Sequence, residues 1–141
     1  MNAMDLPATL RATGACHCGA VRFECVLDTS QPTSRCNCSV CAKSRYWKAF
    51  VGADAFRLLQ GGDELAEYRF GSHRIAHRFC RRCGVKLFGH GAEGDFPAAF
   101  YAINVAVLED VGDEILAALP VVYQDGRHDA WERVPAMTAH L

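Results

Sequence analysis

Clustered cysteines constrain this chain more than any other feature of its sequence. Seven of its 8 cysteines fall into three short clusters, which are Cys16-x-Cys18, Cys36-x-Cys38-x-x-Cys41 and Cys80-x-x-Cys83-Gly84. The N-terminus has no basic start followed by an apolar run, so we predict no secretory signal and expect a cytoplasmic chain. Thiols stay reduced in that compartment, where clustered cysteines bind metal or do chemistry more often than they form disulfides.

Composition limits the class of protein and its partners. A length of 141 residues fits one domain, and 50% hydrophobic with 22% charged residues is ordinary for a soluble globular protein. A formal net charge of −1 opposes binding to nucleic acid through phosphate neutralisation. The longest apolar stretch, residues 97–108, is shorter than the roughly 20 residues of a membrane span. We therefore expect neither nucleic acid nor a membrane as a partner, and the oligomeric state stays open.

Alternating apolar and polar residues predict a mainly β domain. Residues 21–27 have strand periodicity with Cys25 on the apolar face, where it is expected to be a buried thiol. Residues 66–70 and 75–79 flank Gly71-Ser72 and predict a hairpin. The other expected elements are strands over 46–51, 99–107 and 121–124, and short helices over 39–44 and 113–119. The phenylalanines expected in the core are Phe50, Phe56, Phe70, Phe79, Phe88 and Phe100.

The last cysteine cluster provides half of a tetrahedral metal site. Two cysteines separated by two residues and followed by glycine suit a metal-binding turn, because glycine supplies the positive φ that turns the backbone toward the metal. A closed structural zinc site needs four ligands, so Cys80 and Cys83 require two partners. Cys16 and Cys18 are expected on one face of a strand and can supply them. Such a site would clamp the N-terminal segment onto the hairpin end and support folding.

The middle cluster has a different ligand count. Cys36, Cys38 and Cys41 offer three thiolates within six residues and no fourth local cysteine. Three protein ligands with one open position are typical of catalytic zinc, which can activate a bound thiol or polarise a carbonyl. Seven thiolates with two Zn²⁺ ions leave three negative charges, so nearby cations are expected to matter. The candidates are Lys43, Arg45 and Lys48 after the middle cluster, and Arg81, Arg82 and Lys86 around the last one.

Four blocks of sequence resemble one known family. They are GACHCGAVRF at 14–23, CNCSVCAKS at 36–44, RFCRRCGVKLFG at 78–89 and QDGRHDAWERV at 124–134. In their order and separation they are similar to the glutathione-dependent formaldehyde-activating enzyme family, which also includes centromere protein V. Seven cysteines in three spaced clusters make this a specific match, whereas a single CxxC would not.

The resemblance implies a fold, two zinc ions and an activity. The implied fold is a compact two-sheet β domain similar to that of methionine-R-sulfoxide reductases. The implied metal sites are a structural zinc on Cys16, Cys18, Cys80 and Cys83 and a catalytic zinc on Cys36, Cys38 and Cys41. The implied reaction is the addition of glutathione to formaldehyde, giving S-hydroxymethylglutathione, a carbon–sulfur lyase activity by class. The predicted divisions of the chain are an N-terminal extension over 1–13, the zinc domain over 14–135 and a tail over 136–141.

Several points stay open in the mechanism. The catalytic zinc could hold the glutathione sulfur as a thiolate or polarise the aldehyde oxygen, and another thiol or small aldehyde could replace the family substrates. We expect Lys43, Arg45 and Lys48 to bind the carboxylates of glutathione. His77 shares a strand face with Ile75 and Phe79, where a core histidine is expected, with a fourth ligand or a general base as alternatives.

Other functions compete with this hypothesis. A zinc-binding interaction module without catalysis would suit part of the family, but it needs a positive patch, and the net charge opposes one. A methionine sulfoxide reductase needs a nucleophilic cysteine beyond the zinc ligands, and no cysteine follows Cys83. A purely structural protein is opposed by the intact middle cluster.

Overall fold

Two mainly antiparallel β-sheets pack against each other in this chain, whose computed structural model describes residues 2–141. The strands are β1 (Thr9–Ala15), β2 (Arg22–Asp28), β3 (Thr33–Cys36), β4 (Trp47–Gly52), β5 (Phe56–Gln60), β6 (Leu65–Tyr68), β7 (Ile75–Cys80), β8 (Lys86–Gly91), β9 (Phe100–Asn104) and β10 (Val121–Gln124). The α-helices are α1 (Ser39–Ser44) and α2 (Asp113–Ala118). Short 3-10 turns lie at Ala3–Asp5, Ala53–Ala55, Gly62–Glu64, Val105–Val107 and Gly126–His128.

The small sheet has the strand order β1-β2-β5, and the large sheet has the order β10-β3-β4-β9-β8-β7-β6. Every pairing is antiparallel except that of β10 with β3. This parallel pair runs Thr33 to Cys36 beside Val121 to Gln124, so the middle cysteine cluster begins where β10 ends. The order therefore brings the C-terminal part of the chain next to the cluster.

The core lies between the two sheets. Phe23 of β2, Leu87 of β8 and Ile103 of β9 are fully buried there. The ring of Phe23 stacks on Phe56 at 5.5 Å and meets Phe88 edge-on at 6.2 Å, which joins the sheets through aromatic contacts. The predicted mainly β, two-sheet, single-domain fold is confirmed.

Most predicted elements are present. The burial of β2 alternates as expected and leaves Cys25 1% exposed. The predicted hairpin forms between β6 and β7, with Tyr68 opposite His77. The strand expected over 99–107 ends at Asn104, because its side chain accepts from the backbone N–H of Ala106 and begins a 3-10 turn. At the N-terminus β1 begins at Thr9, inside the segment predicted as an extension.

Three local expectations were wrong. Cys16 and Cys18 do not lie on a strand: β1 ends at Ala15, and a turn follows in which the Gly19 N–H donates to Cys16 O at 3.1 Å. Phe50 and Phe70 are exposed by 54% and 38% instead of buried. Phe50 alternates along β4 with buried neighbours and so points away from the small sheet, while Phe70 lies beyond the end of β6.

None of the described helices has the length and apolar character that crossing a membrane requires.

Candidate metal centres

The structure gathers seven cysteines into two groups. We call them the four-cysteine cluster, Cys16, Cys18, Cys80 and Cys83, and the three-cysteine cluster, Cys36, Cys38 and Cys41. Within each group all the Sγ atoms lie within 4.8 Å of one another. This is the partition that ligand counting predicts. His77 belongs to neither group, so the structure does not bring it in as a ligand.

The four-cysteine cluster has the dimensions of a tetrahedral zinc site. Cys18 Sγ lies 3.7 Å from Cys16 Sγ and 3.7 Å from Cys80 Sγ. A tetrahedron with Zn–S bonds of about 2.3 Å places its sulfurs about 3.8 Å apart. Two sulfur–sulfur distances match this value, all four sulfurs lie within 4.8 Å of one another, and none of the described cysteines forms a disulfide, so the cluster fits zinc.

Backbone N–H groups at the two turns point at two of these sulfurs. Gly84 adopts φ +78°, as the sequence predicts, and its N–H donates to Cys80 O at 2.8 Å. The Val21 N–H points at Cys16 Sγ at 3.3 Å, and the Arg82 N–H points at Cys80 Sγ at 3.4 Å.

The two arginines beside this cluster are held by a single acid. Glu64 accepts from Arg81 at 2.8 Å and from Arg82 at 2.9 Å. These hydrogen bonds lower the pKa of Glu64 to about 2. Glu64 thus partly neutralises the charges of Arg81 and Arg82. The same ion pairs hold the turn that carries Cys80 and Cys83.

The three-cysteine cluster forms where β3 passes into α1. Cys36 ends β3, Cys38 precedes the helix and Cys41 lies within it. Cys36 and Cys41 are buried, whereas Cys38 is partly exposed. Hydrogen bonds from Cys38 and Cys41 lower the pKa of the Cys36 thiol, and the same crowding raises the pKa of Cys41. Within residues 2–141 no fourth His, Cys, Asp or Glu joins the group, so these donors fit a metal that keeps one position for another ligand.

The loop after β10 closes over the three-cysteine cluster, and sequence reasoning missed its role. Asn37 lies between two of the cysteines, and its Nδ2 donates to Asp125 Oδ1 at 2.9 Å. Its Oδ1 accepts from the Arg127 N–H at 2.9 Å. Asp125 is 4% exposed and also accepts from His128 and Arg133, each at 2.9 Å. The Asn37 hydrogen bond, with these two, lowers the pKa of Asp125.

Two signals in the sequence could have pointed to this loop. One is an asparagine between two predicted ligands, and the other is Asp125-Gly126 directly after a strand. Gly126 is needed for close approach: a Cβ there would lie 2.5 Å from Cys36 Sγ and 2.5 Å from the ring of Trp131.

The three basic residues predicted to bind glutathione have different surroundings. Lys48 is 6% exposed, and its Nζ donates to Cys41 Sγ at 3.3 Å. Lys43 is exposed on α1 and lines a cavity of about 390 Å³ between that helix and the side chains of Tyr68 and Phe70. Arg45 is exposed just after α1 in a left-handed conformation.

Lys86 is directed toward Tyr46 and the three-cysteine side of the sheet. Its Nζ lies 4.0 Å from the centroid of the Tyr46 ring and 2.8 Å from Nδ1 of His77. Tyr46 is buried, its hydroxyl donates to Ala102 O, and it accepts from the Gly89 N–H at 3.1 Å. The position of Lys86 in the sequence suggested a place near the last cysteine cluster. The β7–β8 ladder pairs Lys86 with Phe79, and its side chain reaches His77, two residues away along β7.

A second cavity lies beside the loop after β10. It has a volume of about 530 Å³, and its wall includes Asn37 and Asp125. The C-terminal segment closes it, and its basic lining residues are Arg127, His128, Arg133 and His140. The two cavities thus have neighbours of the three cysteines in their walls, and each has cationic side chains.

Comparisons with known proteins agree on one family. The sequence model described as "Glutathione-dependent formaldehyde-activating enzyme" matches residues 11–124. A protein of Halomonas elongata named "Putative glutathione-dependent formaldehyde-activating enzyme" is 32% identical over 83 residues, which are 53% of this chain and 53% of that protein. The chain thus spans about half the length of this curated relative.

A solved structure extends the likeness to three dimensions. The crystal structure of a Rhodobacter sphaeroides protein, a structural genomics target, superposes with a TM-score of 0.65 at 33% sequence identity. The match covers 78% of this chain and 99% of that chain. The likeness therefore includes most of the two-sheet fold.

Proposed function

The chain belongs to the glutathione-dependent formaldehyde-activating enzyme family, and from this premise we propose that it is a zinc-dependent enzyme of the carbon–sulfur lyase type. It adds glutathione, or a similar thiol, to formaldehyde or another small aldehyde. The observation that carries the proposal is the three-cysteine cluster, which has three converging thiols, no fourth ligand among the described residues and a partly exposed member. A purely structural site would be closed by a fourth protein ligand.

The chain's own residues supply binding and charge. Cys36, Cys38 and Cys41 would hold the zinc, which when bound lowers the pKa of a thiol or polarises a carbonyl. In the addition the thiol S–H bond breaks, the sulfur electron pair forms a bond to the carbonyl carbon, and the carbonyl oxygen takes up a proton. The positive charge of Lys48, 3.3 Å from the Cys41 sulfur, favours the thiolate form of Cys41 and opposes the neighbouring thiols, which raise its pKa.

The four-cysteine cluster has a structural role in this proposal. A second zinc there would join the turn after β1 to the turn between β7 and β8, and so the small sheet to the large one. The domain limits at residues 14 and 135 and the cytoplasmic location stay predictions.

Metal content and turnover test the proposal together. We expect two zinc ions per chain in protein purified without chelator, measured by elemental mass spectrometry. Cys38→Ser should lose one zinc and at least about a hundredfold in thiol addition to formaldehyde, because an open catalytic site is lost. Cys25→Ala is the matched control, since Cys25 is buried outside both clusters, and it should keep both ions. A Cys38→Ser protein with two zinc ions and full activity would contradict the proposal.

A pair of variants tests where glutathione binds. We propose that its carboxylate lies in the cavity beside α1, where Lys43 is exposed and has room around it. Lys43→Gln should then raise the KM for glutathione about tenfold at unchanged kcat, because one charge-assisted hydrogen bond is lost. Arg127→Gln, in the cavity of about 530 Å³, should leave the KM unchanged. The opposite result would place glutathione under the C-terminal segment.

A further inference from the structure

Two buried or half-buried lysines share the ring of Tyr46 and lack a carboxylate partner. Lys48 Nζ lies 5.6 Å from the ring centroid and Lys86 Nζ lies 4.0 Å from it. In the part of the chain that the structure describes, neither lysine forms an ion pair with Asp or Glu. Removing an ammonium group from water is costly unless a negative charge accompanies it. The compensating charge must therefore come from another group.

A neutral histidine holds Lys86 in place. An ammonium group can only donate, so at 2.8 Å the Nδ1 of His77 must accept and its proton must be on Nε2. Burial, followed by the charges of Lys86 and Lys48, lowers the pKa of His77 to about 4 and keeps the ring neutral. Phe70 stacks on this ring at 5.4 Å and fixes its plane. Lys86 is thus oriented without being neutralised.

The thiolates of the three-cysteine cluster are the negative charges that both lysines face. Lys48 contacts Cys41 directly, and the negative charges of Cys41 and Cys38 also favour the ammonium form of Lys86. Burial opposes them and lowers the pKa of Lys86 to about 8, so the side chain is still mostly protonated at neutral pH.

The charges around the three-cysteine cluster determine which sign of charge a ligand at its open position should have. Three thiolates with one Zn²⁺ ion carry one negative charge, and the two ammonium groups bring the total to one positive charge. A single anion at the open position makes this partly buried assembly neutral, whereas a neutral ligand leaves its charge uncompensated.

We propose that Lys86, oriented by His77, makes the open position of the three-cysteine cluster selective for one anionic ligand, the thiolate of the substrate thiol, over a neutral ligand such as the aldehyde. The identification of that anion as a thiolate rests on the proposed function. In this order of events the thiol gives its proton to water before the carbon–sulfur bond forms. The thiolate then attacks the carbonyl carbon, and the oxygen takes a proton from water. No oxidant or reductant is needed.

Thiol binding without aldehyde tests this selectivity. Protein loaded with Co²⁺ in place of zinc is titrated with glutathione at neutral pH, and the sulfur-to-cobalt absorption reports binding. Lys86→Gln should weaken the affinity at least about tenfold, because one nearby positive charge is lost. Lys86→Arg keeps the charge and should stay within about threefold of the unmutated protein. Arg57→Gln, an exposed arginine paired with Glu24 on the small sheet, is the control and should bind as the unmutated protein does.

A competition experiment on the unmutated protein needs no variant to fold. Thiocyanate, a monoanion, should displace glutathione from the cobalt-loaded protein at lower concentration than neutral imidazole does. Imidazole competing as well or better would overturn the inference, as would unchanged glutathione affinity in a cobalt-loaded Lys86→Gln protein. Turnover separates this result from the proposed function. If thiol selectivity holds but formaldehyde is not consumed, only the proposed function fails. If formaldehyde is consumed but Lys86→Gln binds glutathione normally, only the selectivity inference fails.

Discussion

At the scale of single residues, the packing around the three-cysteine cluster requires glycine at position 126. A Cβ on Gly126 would lie 2.5 Å from Cys36 Sγ and 2.5 Å from the ring of Trp131, so there is no space for a methyl group. Its backbone is not in the left-handed region, so the requirement for glycine is purely steric. Close packing of this kind fixes the Cys36 sulfur in position, because a buried contact cannot yield without moving its neighbours.

Gly126→Ala should therefore displace Cys36 and weaken metal binding at the three-cysteine cluster at least about tenfold, at a cost of about 1–3 kcal/mol for overpacking. Zinc at the four-cysteine cluster should be unaffected. The measurement is zinc content after dialysis against a weak chelator, which should fall from two ions to one. Gly112→Ala is the matched control, since a Cβ there meets nothing within 4 Å. Retention of both ions by Gly126→Ala would show that the loop can move without cost.

At the scale of elements, periodicity in the sequence predicts strands well and turns poorly. The β6–β7 hairpin and the alternation of β2 follow from patterns that are local in the chain. The turn that carries Cys16 and Cys18 does not, because two ligands separated by one residue suit a strand face and a turn equally. The grouping of the cysteines was predictable from their spacing, and so was Lys48 beside the middle cluster. The place of Lys86 was not, since the β7–β8 ladder decides where its side chain points.

The loop after β10 is attached to the three-cysteine cluster through one buried acid. Asp125 accepts from Asn37, His128 and Arg133, so a single carboxylate joins the cysteine loop to two residues of the C-terminal segment. A carboxylate can accept several hydrogen bonds at once, and an amide in its place would turn an NH₂ group toward a donor. The loop after β10 is therefore held by the charge of Asp125 as well as by the geometry of its hydrogen bonds.

Asp125→Asn should lower the free energy of unfolding by about 1–3 kcal/mol, because a buried donor is left facing another donor. The loop should loosen over Asn37, and the metal of the three-cysteine cluster should exchange faster than in the unmutated protein. Thermal denaturation and the rate of zinc transfer to a colorimetric chelator measure the two effects. Asp129→Asn makes the same chemical change at an exposed position of the same loop, where asparagine tolerates the left-handed backbone. Equal behaviour of the two variants would remove the structural role given to Asp125.

At the scale of the whole molecule, the two cysteine clusters differ in what they connect. The four-cysteine cluster brings together residues that are 62 positions apart in the chain, from Cys18 to Cys80, and a metal bound there would tie the small sheet to the large one. The three-cysteine cluster lies within six residues of one loop and helix. A cross-link between distant positions restricts the unfolded chain much more than one between near neighbours.

Loss of one cysteine should therefore mainly reduce stability at the four-cysteine cluster and mainly reduce activity at the three-cysteine cluster. Cys83→Ser should lower the free energy of unfolding by at least about 3 kcal/mol and the melting temperature by about 10 °C, because the proposed zinc between the two sheets would be lost. Cys41→Ser should abolish activity but lower the melting temperature by only a few degrees, since its cluster closes a short loop. Calorimetry of both variants, with zinc content measured on the same samples, distinguishes the two roles. Equal destabilisation would mean that the three-cysteine metal also supports the fold, and that its open position is not its main purpose.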